Sequence, residues 1–150
     1  TMTVEATVEA SCALVVNNLN FGTYKPTDTT DLAVSTSLNL KCSEGAAPKI
    51  AILQGSSFDA ATGVRTLTRE NAADTLDYVL FQPTATTANA ACGTYSSASS
   101  GIWGYDASNW FVPTDVSFAG ANYNICGHLP RGQNKPAGRY VDTVTVNVEF

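Results

Sequence analysis

Apolar and polar residues alternate at both ends of the chain. At the front, Thr1 to Ala10 places Met2, Val4, Ala6 and Val8 on one side and Thr1, Thr3, Glu5, Thr7 and Glu9 on the other. At the back, Tyr140 to Phe150 places Val144, Val146, Val148 and Phe150 together. A period of two is the pitch of a β-strand, so each end is expected to be a strand with one face to bury. Each such strand also needs a partner for its backbone N–H and C=O groups.

The interior repeats the signal in shorter runs. Cys12–Val16 and Leu19–Phe21 are apolar stretches divided by Asn17-Asn18, and Gly22 to Thr30 is a loop containing Pro26. Ala33–Cys42 alternates, with Val34, Leu38, Leu40 and Cys42 on one face. Lys49–Gln54, Val64–Leu67, Leu76–Phe81 and Tyr123–Leu129 read as further strands. Ile102–Tyr105, Asn109–Val112 and Val116–Phe118 are weaker ones. The stretch Arg69–Tyr78 is too short and too loosely patterned for a helix and reads as a turn. Pro83–Gly101, rich in Ala, Thr and Ser, reads as a long surface loop tied down by Cys92. Short strands separated by turn signals predict an all-β sandwich or barrel.

Composition narrows the function classes. At 150 residues the chain fits one domain. Charged residues make up 14%, against about 25% for an average soluble domain, so the surface must be covered by Thr, Ser, Asn, Ala and Gly. The net charge is −5 and the eight basic residues are scattered. Nothing is arranged to neutralise a phosphate backbone, and nucleic-acid binding is not expected. No run approaches the roughly 18 apolar residues of a membrane helix, so membrane insertion is not expected. Thr1 opens directly into a strand pattern, the expectation for an exported chain whose signal peptide has been removed.

The cysteines are Cys12, Cys42, Cys92 and Cys126, with a single histidine, His128. No pair has C-x-x-C spacing, so two disulfides in an oxidising compartment are expected and no metal site is. Of the three possible pairings, Cys12–Cys42 with Cys92–Cys126 closes two short local loops. Each would stabilise by about 3–4 kcal/mol through loop entropy.

Enzyme chemistry finds no foothold. There is no G-x-S-x-G, P-loop, dinucleotide fingerprint or calcium loop, and His128 sits before Leu129-Pro130 as a structural residue. Asp28 with Asp31, and Asp74 with Asp77, read as turn and surface acids. No cofactor is expected. One alternative carries chemistry: Trp103, Tyr105 and Trp110, beside Asp106 and Asn109, could stack on sugar rings, as in a secreted carbohydrate-binding β-sandwich module.

The tail from Gly127-His128-Leu129-Pro130 through Gly132-Gln133, Pro136-Ala137-Gly138, Tyr140 and Asp142-Thr143-Val144-Thr145-Val146 resembles the C-terminal signature of the spore coat protein U domain family, which includes the pilins of archaic chaperone–usher pili. Ala10-Ser11-Cys12-Ala13-Leu14 and Leu19-Asn20-Phe21-Gly22-Thr23-Tyr24 are similar to the family's opening strand. Leu40-Lys41-Cys42 fits the partner cysteine, and Leu76–Phe81 a mid-domain strand. The second cysteine pair and the length of Pro83–Gly101 depart from the family pattern.

The resemblance implies an incomplete immunoglobulin-like β-sandwich, completed by a donor strand from a neighbouring subunit. On that reading residues 1–10 are the N-terminal donor extension, with Met2, Val4, Ala6 and Val8 as its buried face, and residues 11–150 are the pilin domain. The C-terminal strand, through Val144, Val146, Val148 and Phe150, would border the acceptor groove. The run to Phe150 carries the expectation that no further strand follows. Ten extended residues reach about 33 Å, and each large apolar side chain buried would contribute roughly 1.5–3 kcal/mol. The implied partners are identical subunits in a polymer, with a periplasmic chaperone and an outer-membrane usher during assembly. The implied place is an extracellular, cell-surface pilus serving adhesion or biofilm formation, with this chain as a shaft subunit and not an enzyme.

Overall fold

The computed structural model describes residues 1–98 and 100–150. Its strands are β1 (Cys12–Val16), β2 (Leu32–Cys42), β3 (Lys49–Ile52), β4 (Val64–Arg69), β5 (Thr75–Phe81), β6 (Ala121–Leu129), β7 (Tyr140–Val141) and β8 (Val146–Glu149). Among the described residues there is no helix. One sheet has the order β1-β2-β6-β5-β4-β7, the other pairs β3 with β8, and all of these pairings are antiparallel. The fold is all-β, an incomplete immunoglobulin-like sandwich with one six-stranded and one two-stranded layer.

The alternation in the sequence sets which side chains face inward. On β2, Leu38, Leu40 and Cys42 are buried while Lys41 is exposed. Leu38 stands opposite Tyr123 of β6, and Leu32 opposite Leu129. Leu76, Tyr78 and Leu80 of β5 join this inner face. From the second layer come Ile50 and Ile52 of β3, with Trp103 and Phe111 from the connection between β5 and β6. Trp103 and Phe111 have ring centroids 4.9 Å apart, and the Trp103 indole N–H donates to the Ile50 carbonyl at 3.0 Å. A fully buried indole thus places its polar atom without loss.

Among the described residues Arg65 is a buried charge, with no exposed surface. Its guanidinium forks to three carbonyls: Leu53 at 2.5 Å, and Ile52 and Trp103 at 3.0 Å each. The fork ties β4 in the large sheet to the end of β3 and to the Trp103 segment. Burial pushes its pKa below the usual arginine value, opposed by Tyr78 and Asp142.

Both cysteine pairs are bonded, Cys12 to Cys42 and Cys92 to Cys126. Cys12 and Cys42 are direct cross-strand partners, with Cα atoms 4.1 Å apart. Cys92 holds the Pro83–Gly101 excursion on β6, helped by hydrogen bonds from Asn124 Nδ2 to the Ala90 carbonyl and from the Asn89 N–H to the Asn122 carbonyl, both 2.8 Å.

Several expected elements resolve differently. Leu19–Phe21 is not a strand, and Ile102, Phe111 and Ser117 make isolated bridges in place of the weaker strands. Arg69–Tyr78 is the end of β4, a tight turn and β5. Asn71 takes the left-handed conformation in that turn (φ 58°), which asparagine tolerates. The single last strand divides: β7 pairs with β4, then the chain crosses layers and β8 pairs with β3. Thr1–Ala10 lies in no sheet.

Replacing Arg65 by Ala strands three buried carbonyls, and we expect a loss of about 3–5 kcal/mol in urea unfolding. Arg65→Lys keeps the charge without the fork and should recover less than half of that loss.

Candidate functional site

A groove of ≈ 1140 Å³ runs along one side of the domain. One wall is the stretch from Val16 to Pro26, which continues β1 off the edge of the large sheet. The other is the stretch from Lys135 to Val146, which crosses from one layer to the other. The floor is apolar: Ile52, Leu67, Leu76, Leu80, Ile125 and Leu129. The walls run in opposite directions. Val16 and Val146 mark one end. Tyr24 and the residues after Pro130 mark the other, where the Tyr24 hydroxyl donates to the Pro130 carbonyl at 2.8 Å.

The walls carry idle backbone. Asn17 N–H still reaches the Ser37 carbonyl at 3.2 Å, and Gly22 N–H is capped by Asn20 Oδ1 at 2.8 Å. Among the described residues, the N–H groups of Leu19, Phe21 and Thr23 on one wall, and of Thr143 and Val144 on the other, have no partner. Two strand-like edges with unpaired groups face each other over an apolar floor, an arrangement to which an extended segment can add by β-strand pairing.

The signature residues of the tail build this site. Pro130 has no N–H and ends the β6 ladder opposite β5. The Gln133 side chain takes over: its Oε1 accepts from Asp77 N–H at 2.8 Å and its Nε2 donates to the Asp77 carbonyl at 2.9 Å. A side-chain amide thus stands in for a peptide group. The Gln133 N–H in turn donates to the Tyr24 hydroxyl at 2.8 Å, locking the two walls together. Gly127 makes room for the first wall, because a Cβ there would lie 2.9 Å from the Val34 carbonyl and 3.0 Å from both Leu19 and Phe21.

Asp142 anchors the second wall. It accepts from the Ser56 N–H (2.9 Å), the Ser56 hydroxyl (2.8 Å) and the Tyr78 hydroxyl (2.6 Å). Burial, then the bond to Asp142, pushes the Tyr78 pKa well above its usual value, so the phenol remains a donor at any ordinary pH. The anchored carboxylate holds the crossing that separates β7 from β8.

The residues singled out from the sequence fall in distinct places. Val144 and Val146 line the groove. Val148 is half-buried opposite Ile50, and Phe150 is 54% exposed; neither lines the groove. Met2, Val4 and Val8 are 86%, 83% and 90% exposed, and Ala6 is exposed as well, so this apolar face meets nothing in its own domain. Trp103 corrects the sugar-platform reading: it is fully buried and offers no face to a ring, while Trp110 lies under Lys49 (4.7 Å) and Tyr105 packs on Phe58 (5.6 Å). His128 stacks on Tyr95 at 4.3 Å with Asp31 3.7 Å away, and burial lowers its pKa against the pull of Asp31. Among the described residues no group of three His, Cys, Asp or Glu side chains is placed to hold a metal ion.

Sequence reasoning missed the first wall and the floor. Leu19 and Phe21 were visible as apolar residues, but a strand that pairs with nothing has the same alternation as one that pairs. Gln133→Ala removes the amide that bonds Asp77 on both sides. We expect a loss of about 1–3 kcal/mol in denaturant unfolding and faster amide exchange at Asp77.

The sequence profile of the Spore Coat Protein U domain matches residues 1–147. No curated protein matches the chain. Among solved structures, a chain in the crystal structure of the CsuC-CsuE chaperone-tip adhesion subunit pre-assembly complex, from archaic chaperone-usher Csu pili of Acinetobacter baumannii, is similar with a TM-score of 0.65 at 20% identity. The similarity covers 96% of this chain and 41% of that one, and at this identity it is a likeness of fold. With almost its whole length matched by the domain profile, the chain belongs to the spore coat protein U domain family.

Proposed function

We propose that this protein is a pilus subunit that polymerises by donor-strand exchange. Thr1–Ala10 of one copy enters the groove of the next and supplies the strand that closes the sandwich. One observation carries the reading: the chain holds both an apolar groove between two unpaired edges and a free ten-residue segment of matching alternation. Met2, Val4, Ala6 and Val8 would face the floor, and the backbone would pair with both walls. Burying the three larger side chains contributes roughly 1.5–3 kcal/mol each, which favours association strongly.

Before a neighbour arrives, the groove is an aggregation hazard. A periplasmic chaperone covers it on this reading, and an outer-membrane usher passes the subunit into the fibre. The neighbouring structure supports this route, since it is a pre-assembly complex with a chaperone from an archaic chaperone-usher pilus. Two disulfides suit the oxidising periplasm. The fibre then stands outside the cell, where it serves adhesion or biofilm formation, with structural and not enzymatic work for this chain.

The test is assembly of the full chain carrying Val4→Asp and Val8→Asp. Each places a charge on the apolar floor, so the double variant should form no fibres visible by electron microscopy, while the domain keeps its β-sheet circular dichroism. Fibres of normal length from the double variant would contradict the proposal.

A further inference from the structure

The groove is not symmetrical in charge. At the end formed by Tyr24, Pro26 and the stretch after Pro130, its wall includes Lys135 and Arg139. At the other end, near Val16 and Val146, the rim residues are Asn17, Asn18 and Asn20; Glu149, three residues past Val146 on β8, stands opposite Lys49 outside the groove. Lys135 is exposed and, among the described residues, makes no ion pair. Arg139 is also exposed and pairs with Glu70. Arg69, close by, is committed to Asp74 at 2.7 Å.

The N-terminal segment is unsymmetrical too. Its acids are Glu5 and Glu9, both on the face opposite Met2, Val4, Ala6 and Val8, and the first four residues carry no charged side chain. Four residues of extended chain separate the two carboxylates by about 13 Å. Lys135 and Arg139 are also four residues apart in the sequence, with a bend at Ala137-Gly138 between them. With the apolar face on the floor, the two acids point out to the rim, where the two bases stand.

We propose that Lys135 and Arg139 select the direction and register of the incoming segment, Lys135 receiving Glu9 and Arg139 receiving Glu5 of the second copy. This rests on the donor-strand reading above and adds the residues that orient the donor. The segment then runs from Thr1 at the Val16–Val146 end to Glu9 at the Lys135 end. It lies antiparallel to the Lys135–Val146 wall and parallel to the Val16–Pro26 wall. Reversed, it would bring both acids to a rim of neutral asparagines and leave Lys135 unpaired. A slip of two residues would keep the apolar face on the floor but move both carboxylates about 7 Å from their bases. The alternation by itself cannot reject that slip, whereas the charges can. Exposed ion pairs act mainly on orientation and rate, and they weaken with salt.

The experiment measures binding of a labelled ten-residue peptide, Thr1–Ala10, to the full chain by fluorescence anisotropy, below the concentration at which the chain assembles. At low salt, the Lys135→Glu, Arg139→Glu chain should bind about tenfold more weakly. A peptide with Glu5→Lys and Glu9→Lys should recover that affinity on the reversed chain and lose it on the original. In 1 M salt the differences should vanish. Because Arg139→Glu also meets Glu70, Lys135→Glu alone is measured with the Glu9→Lys peptide as a second swap. Equal binding of the original peptide to all chains at low salt, or no recovery in either swap, overturns the proposal. A peptide with Val4→Asp and Val8→Asp separates the two ideas. If it loses binding while the charge reversals change nothing, only the orienting role fails. If it binds like the original, the donor reading fails with it.

Discussion

An apolar floor between two backbone edges without partners is costly in water, and the rest of this structure is arranged around that fact. Each uncovered edge group forgoes a hydrogen bond that a strand would supply. The domain does not relieve the cost by folding its own spare segment inward: Met2, Val4 and Val8 stand in solvent while Leu76, Leu80, Ile125 and Leu129 line the groove. The direction of the chain helps explain why. Residues 12–26 run along the large sheet and then along the groove wall, so a segment preceding Cys12 leads away from the groove unless it reverses at Ser11.

Holding such a groove open demands rigid walls, and the polar residues of the domain supply them. Gln133 substitutes for a missing peptide group beside Asp77 and reaches Tyr24 on the opposite wall. Asp142 gathers Ser56 and Tyr78 and fixes the point where the chain changes layers. Arg65, buried beneath, joins the layers through three carbonyls. These bonds replace part of the rigidity that a closing strand would otherwise give. The same residues make up much of the tail pattern, so that pattern describes a wall as much as it describes a strand.

Strand content and inner faces were legible in the sequence because alternation is a local property. Cys12–Val16 has the expected bounds, and Leu38, Leu40 and Cys42 face inward as their spacing requires. The cysteine partners followed from loop length. Pairing was less legible, because it depends on what lies across from a strand. Tyr140–Phe150 keeps its period of two through the crossing at Asp142, so nothing in the pattern marked the break between β7 and β8. Leu19–Phe21 alternates like a strand and yet pairs with nothing. Trp103, grouped in sequence with Tyr105 and Trp110, turned out to be core, since exposure of an aromatic depends on the opposite layer and not on its neighbours in the chain. Val144 and Val146 line the groove, whose floor is assembled from β3, β4, β5 and β6 and needed the fold.

The most direct measurement is an electron cryo-microscopy map of the assembled protein at a resolution that traces side chains. The account predicts residues 1–10 of one copy lying in the groove between the Val16–Pro26 and Lys135–Val146 walls of the next, with Met2, Val4 and Val8 on the floor. A map in which that segment lies outside every groove, or returns to the groove of its own domain, would contradict it.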